Sequence, residues 1–163
     1  MHPITIAGYV PGSIGRITEL HADYYSRHWG FGPFFEAKVA AELAAFLQRF
    51  DPNRDGFWTA NQAGRVQGSI TIDAAKIGTE GAHLRWFILS DALRGQGVGN
   101  RLMGNAIGFC KQQEYARVFL WTFQGLHPAR HLYEKYGFRL ADETGGEQWG
   151  KPVLEQQFVL DLV

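Results

Sequence analysis

The sequence predicts one α/β (α+β) domain over residues 1–163, with elements in the order βααβββαβαβ. Three observations predict it. The chain has 163 residues, 45% of them hydrophobic and 14% aromatic, which is enough apolar material for a single core. The hydrophobic period changes from helical to alternating after Gly56 and returns to helical near Gly97. A glycine-rich loop, Arg94-Gly95-Gln96-Gly97-Val98-Gly99, lies between an apolar strand and an amphipathic helix.

Ile4 to Val10 reads as a short strand closed by Pro11-Gly12. Ser13 is the expected cap of a helix that carries Ile14, Ile17, Leu20 and Tyr24 at helical spacing. Gly30-Phe31-Gly32-Pro33 breaks that helix, and Phe35, Val39, Leu43, Phe46 and Phe50 mark a second, ended by Asp51-Pro52. Phe57 to Ala60 and Val66 to Ile72 predict an antiparallel hairpin around Asn61-Gln62-Ala63-Gly64, and His83 to Leu89 a third run of strand. Between Gly97 and Gln113, Val98, Leu102, Ala106, Ile107, Phe109 and Cys110 make an apolar helical face, followed by the strand Val118 to Thr122. Ala129, Leu132, Tyr133 and Tyr136 give a short helix ended by Gly137, after which Phe138 to Leu140 and Gln157 to Leu162 close the chain as strands. Neither an internal repeat nor a linker divides the sequence, so no second domain is expected.

The 16 basic residues balance the 16 acidic ones, so no net field favours nucleic acid or anionic lipid, and neither is an expected partner. Cys110 has no second cysteine to pair with, Met1-His2-Pro3 lacks the features of a secretory signal, and no apolar run approaches the ~20 residues that span a bilayer. A cytoplasmic protein with no membrane association is the expectation. Asp51-Pro52-Asn53-Arg54-Asp55-Gly56 imitates the start of a calcium loop, but Gln62 stands where a bidentate carboxylate is needed, so an Asx turn is expected instead. His127 and His131 are four apart with no third ligand, so no metal is expected. Cys110, on the apolar stripe, reads as a buried and inert thiol.

The glycine loop is where chemistry is expected. Removing Cβ atoms lets the backbone bend tightly and approach a ligand, while the first turn of the following helix offers unpaired N–H groups and the positive end of its dipole. Such a nest suits a pyrophosphate. The dinucleotide fingerprint fails because Asn100 occupies its last glycine position. A Walker loop at Gly145 to Lys151 fails because Pro152 replaces the hydroxyl and a strand follows.

The surviving pattern, [QR]-x-x-G-x-[GA] directly after a strand, resembles the acetyl-CoA signature of the GNAT superfamily, with Arg94, Gly97 and Gly99 at the matching positions. Leu132-Tyr133-Glu134-Lys135-Tyr136-Gly137-Phe138 is similar to a second segment of these enzymes. The tracts Leu84 to Ile88, Leu120 to Phe123 and Tyr133-Glu134 also resemble the acetyltransferase domain found fused to MarR-type regulators, whose regulator part has no counterpart in this chain. The resemblance implies a GNAT fold, a mixed central sheet with splayed strands flanked by helices. It implies acetyl-CoA (CoA) as cofactor, held by Arg94, Gly95, Gln96, Gly97, Val98, Gly99 and Asn100 and by the strand edge Phe87, Ile88 and Leu89. Plain core burial is the other role for those three, and the two are compatible. It also implies acetyl transfer to a primary amine of a small molecule or peptide.

By the same resemblance Tyr133 is the catalytic residue, a general acid for the departing thiolate; its other reading is a tyrosine filling a core gap. Main-chain N–H groups of the strand ending at Leu89 are expected to polarise the carbonyl. No general base is evident, because Trp121 stands where some relatives carry glutamate. His21, Tyr25 and Glu36 are the polar candidates for the amine pocket, a solvated helix face being their other reading. Leu126 stands where many members of that family place a cofactor-contacting asparagine, which with the missing base motivates an alternative function, a catalytically weak or inactive acyl-CoA-binding sensor or interaction module. A homodimer is expected to pair through Gln157 to Leu162 as an edge strand.

Overall fold

The periods read from the sequence resolve, in a computed structural model that describes residues 2–163, into seven strands and four α-helices. In chain order they are β1 (Ile4–Ala7), α1 (Ser13–Trp29), α2 (Pro33–Gln48), β2 (Gly56–Gln62), β3 (Arg65–Asp73), β4 (Ala82–Leu89), α3 (Val98–Gln112), β5 (Arg117–Phe123), α4 (His127–Lys135), β6 (Arg139–Gly146) and β7 (Val153–Asp161). A 3₁₀ turn, Asp91–Leu93, joins β4 to α3. The strands form one mixed sheet in the order β1-β2-β3-β4-β5-β7-β6, in which only β4 and β5 run parallel.

Local chemistry explains the elements. The β2–β3 hairpin turns on Ala63 and Gly64, both at positive φ (53° and 73°), the backbone of a tight two-residue turn. Ser13 is the first helical residue of α1 rather than its cap, since Gly12 holds that place. The Ser13 hydroxyl instead donates to the Val10 carbonyl at 2.6 Å and accepts the Val10 N–H at 3.1 Å, which ties the exit of β1 to the helix. The Asp51 segment is an Asx turn, with Asn53 N–H donating to Asp51 Oδ1 at 2.9 Å and the buried Asp55 accepting from Ala74 N–H at 2.8 Å.

Helices cover both faces of the sheet. Ile17 of α1 and Leu43 and Phe46 of α2 pack on Phe57 and Val66 on one side. Leu102, Met103, Ala106, Ile107 and Cys110 of α3 pack on Ile70, Ile72, Leu84 and Val118 on the other. Leu43, Phe46, Leu102 and Met103 are fully buried, and each such side chain contributes about 1.5–3 kcal/mol. Burial also pushes the Cys110 thiol up to about 12, so it stays protonated among these side chains.

Two expectations about the end of the chain are corrected. β6 extends to Gly146, well beyond Leu140, because an exposed polar edge strand leaves no hydrophobic period to read. β7 is not an edge: it pairs with β5 on one side and with β6 on the other, so Gln157 to Leu162 offers no free strand for a homodimer. β1 and β6 are the edges. Among the described residues no helix is long and apolar enough to cross a membrane.

The feature that positions the site is a parting of β4 from β5. They pair only at Ala82 with Val118 and His83 with Phe119. Past that point β4 carries a bulge: its register against β3 jumps between Ser69 and Thr71, Trp86 takes φ 49°, and Ser69 Oγ donates to the Trp86 carbonyl at 2.6 Å. A bulge bends its strand and raises local twist, which here turns β4 away from β5 and leaves that edge unpaired. Alternation would send Arg85 and Trp86 to opposite faces, yet both reach α2, Arg85 through Glu42 and Trp86 through Phe46.

Candidate active site

On one side of the cleft stand β4, the loop after it and α4. Phe87, Ile88, Leu89, Arg94, Gly99, Leu126, Leu132 and Tyr133 line a cavity of about 160 Å³ there. Gly97 caps α3 at φ 74°, no side chain caps the helix, and no acid lies in its first turn, so its leading N–H groups remain open to an anion. A Cβ on Gly99 would lie 3.2 Å from Leu89 Cδ1 and 3.5 Å from Phe87 Cζ, so any side chain there would project into the cleft. Gln96 Nε2 donates to the Ala92 carbonyl at 2.9 Å and Arg94 Nε to Asp91 Oδ1 at 2.9 Å, which fix the loop on the 3₁₀ turn.

On the other side, α1, α2, β4, β5 and the β6–β7 turn line a second, half-open cavity of about 160 Å³. Its walls are aromatic: Tyr25 packs on Phe31, Phe35 and Phe123, and Trp149 packs on Phe123. Its polar end is an ion network. Lys38 Nζ donates to Glu42 Oε2 at 2.5 Å, and Arg85 bridges Glu42 to the buried Asp73, which Arg49 grips with two bonds of 3.0 and 2.7 Å. Burial opposes ionisation of Glu42, but the Lys38 hydrogen bond and the Arg85 charge outweigh it and hold the carboxyl below its usual range.

Two neutral histidines complete this cavity. His21 is buried, its Nδ1–H donating to the Ile17 carbonyl at 2.8 Å in the tautomer that leaves Nε2 an acceptor, and burial pulls it down to about 4. His83, stacked on Phe119 at 4.4 Å, is lowered to about 3 by burial first and the Arg85 charge second. Tyr25, Phe87, Leu126 and Tyr133 line both cavities and form the wall between them. The Tyr133 ring is held by Phe87, Phe138 and Phe158, and burial pushes its hydroxyl well above the usual phenol range.

Residues 14–138 match the model of the Acetyltransferase (GNAT) family. The chain belongs to the GNAT family of acetyltransferases. It is 30% identical over 92 residues to N-acetyltransferase 8 of Mus musculus, covering 55% of this chain and 40% of the mouse protein. It is 24% identical over 127 residues to an uncharacterized N-acetyltransferase of Methanocaldococcus jannaschii, covering 76% of this chain and 56% of that protein. The match thus spans about half the length of these relatives. A GNAT-family acetyltransferase of Staphylococcus aureus Mu50 shares the fold with TM-score 0.76 at 17% identity, over 99% of this chain and 100% of that one. A GNAT-family acetyltransferase of Elizabethkingia anophelis with acetyl-CoA bound superposes with TM-score 0.65 at 17% identity, over 98% of each chain. By family the domain is a GNAT acetyltransferase.

In this GNAT domain the expected site residues fall into three groups. Phe87, Ile88, Leu89, Arg94, Gly99 and Tyr133 line the first cavity. Gly95, Gln96, Gly97 and Val98 form the turn that leads into α3, while Asn100 faces the end of α4, where its Oδ1 accepts from Tyr136 at 2.9 Å and from Lys135 at 3.1 Å. His21 and Tyr25 line the second cavity, whereas Glu36 is exposed in the first turn of α2 and lines neither. Lys38, Glu42, His83, Arg85 and Gln148 line the second cavity and were not legible as site residues. Lys38 and Glu42 had one usable signal, an i,i+4 pair on α2 alternating with Phe35 and Val39; Arg85 had none, because the bulge that redirects it is tertiary.

Proposed function

We propose that this domain transfers an acetyl group from acetyl-CoA directly to a primary amine of a small molecule or peptide. The observation that carries the reading is the parted β4–β5 edge, with an uncapped glycine-led helix at one end and the Tyr133 hydroxyl between two cavities. The residues fit the cofactor: the Gly97–Gly99 turn leaves room and N–H donors for a pyrophosphate, and β4 beyond His83 has an unpaired edge for an extended arm. Acetyl-CoA supplies the acetyl group already activated as a thioester.

The rest falls to side chains of the chain itself. Gly95, Gln96, Gly97, Val98 and Gly99 orient the phosphates, with Arg94 adding charge beside them, and Asn100 fixes the distance between α3 and α4. Phe87, Leu126 and the aromatic walls exclude water from the reacting centre. Tyr133 keeps its proton at neutral pH and donates it from the hydroxyl to the departing sulfur. The unprotonated His21 and His83 and the Glu42 carboxylate line the amine side, where they can accept hydrogen bonds from the incoming amine.

Calorimetry with acetyl-CoA and a thiol-release assay over a panel of amines test this reading. Binding together with release of CoA thiol supports it. Binding without release from any amine replaces it with the sensor reading, for which Leu126 at the shared wall is the motivating residue.

A further inference from the structure

The second cavity has a composition that selects among amines. Three features combine: a roof, an aromatic body and an unbalanced charge at one end. The β6–β7 turn is latched over the α1–α2 connection, with Lys151 Nζ donating to the Trp29 carbonyl at 3.2 Å and the Phe34 ring against Gly150, where a Cβ would lie 2.7 Å from it. Gln148 is tied back to Glu155 through its N–H at 3.0 Å and its side chain at 2.8 Å, which seats Trp149 on Phe123. The half-open cavity holds about 160 Å³, on the scale of the ~150 Å³ apolar cavity that admits a benzene ring.

The charged groups lining the polar end are two cations, Lys38 and Arg85, and one carboxylate, Glu42; behind them Asp73 joins Arg85 to Arg49, which Asp55 also faces. His21 and His83 add no charge at neutral pH, and Lys38, Glu42 and Arg85 are the remaining ionisable acids and bases lining the cavity besides the tyrosines. Arg85 is committed, bonded to both Glu42 and Asp73 and stacked 4.1 Å over Trp86. Lys38 is not: an ammonium has three donors, and Glu42 takes one. An anionic group placed beside Lys38 makes a charge-assisted bond and offsets the surplus cation of the lining, whereas a polycation adds to it.

We propose that the acceptor is a small amine that also carries a carboxylate and an apolar body, the chemistry of a free amino acid with a large apolar side chain. The carboxylate sits on Lys38, the side chain lies among Tyr25, Phe123 and Trp149, and the amine points toward Tyr133. This assignment rests on the acetyl-transfer reading above and names its substrate class.

The test is CoA-thiol release from acetyl-CoA with phenylalanine and leucine, each beside its amide and its decarboxylated amine, and with spermidine. Rates are compared as kcat/KM corrected for the fraction of free amine. The expected result is at least a fivefold advantage of one of the two amino acids over both of its uncharged-end analogues and over spermidine. In Lys38→Met that advantage disappears through a higher KM for the amino acid, and in Lys38→Arg it is retained. An advantage below fivefold, or spermidine as the best acceptor, overturns the acidic-amine assignment while acetyl transfer stands. Absence of thiol release from every amine, with acetyl-CoA still bound in calorimetry, overturns the transfer reading and this assignment together. The substrate comparison uses the unsubstituted protein, so it decides even where Lys38→Met does not fold.

Discussion

The two cavities have the same volume, about 160 Å³, and share a wall of Tyr25, Phe87, Leu126 and Tyr133, yet they are assembled in opposite ways. The β4–α3 side is built mainly from two short stretches, residues 87–99 and 126–133, closed by Tyr24 and Tyr25 of α1. The other side draws on α1, α2, β4, β5 and the β6–β7 turn, which meet only after the sheet has formed. The first is a local backbone device, glycine turn plus open helix end, and tolerates little change in Cβ. The second is a packing device whose lining side chains are held in place by neighbours far along the chain. If the first grips the cofactor and the second chooses the acceptor, as proposed, the two roles are separable by mutation.

The largest effect is expected at the shared wall. Tyr133→Phe keeps the ring among Phe87, Phe138 and Phe158 but removes the proton donor, so kcat falls roughly 10²-fold or more while the calorimetric Kd for acetyl-CoA stays within about twofold. An unchanged kcat would leave Tyr133 as a packing residue. Next, Gly99→Leu puts a side chain against Leu89 and Phe87, and acetyl-CoA affinity drops up to about 100-fold, in line with an overpacking cost of ~1–3 kcal/mol. Intact affinity would place the cofactor elsewhere.

Stability against pH separates the sides in another way. His21 and His83, both on the acceptor side, have folded pKa values of about 4 and about 3, below the ordinary 6.5. Above pH 6.5 both states hold them neutral. As pH falls from there toward 4, the unfolded chain takes up protons that the folded one refuses, so stability declines by up to about 1.4 kcal/mol per pH unit for each histidine. Urea midpoints at pH 7 and pH 4.5 should show this decline, and His21→Leu should flatten it; an equal slope in the variant would mean that His21 titrates freely.

Smaller effects sharpen the division. Trp149→Ala opens the roof over the acceptor and is expected to raise the amine KM about tenfold, as loss of an aromatic anchor does, with acetyl-CoA binding untouched in the same calorimetric assay. Leu126→Asn offers one new donor at the shared wall and should tighten acetyl-CoA about two- to tenfold, the worth of a single hydrogen bond. A weaker Kd instead would show that Leu126 serves by packing.

Legibility in the sequence followed the same division. Helix and strand periods survive in the chain wherever one face is buried, so α1, α2, α3 and the β2–β3 hairpin were readable to within a few residues. β6 was not, because both its faces are exposed and polar, and misreading it made β7 look like an edge. The glycine turn was readable because its conformation lies in backbone geometry, which residue type encodes locally. Glu42 was invisible as a site residue because a carboxylate on a helix reads as a solvated face until β4 brings Arg85 against it.

By itself, then, the sequence determined the alternation of elements, the turn that opens α3 and the placing of Tyr133 on a short helix behind it. Each depends on neighbours a few residues away. Only the tertiary structure decided that β4 parts from β5 at His83, that a bulge at Trp86 sends Arg85 to Glu42, and that the β6–β7 turn roofs the second cavity. Those features join residues tens of positions apart, and their energy comes from contacts that no single segment contains.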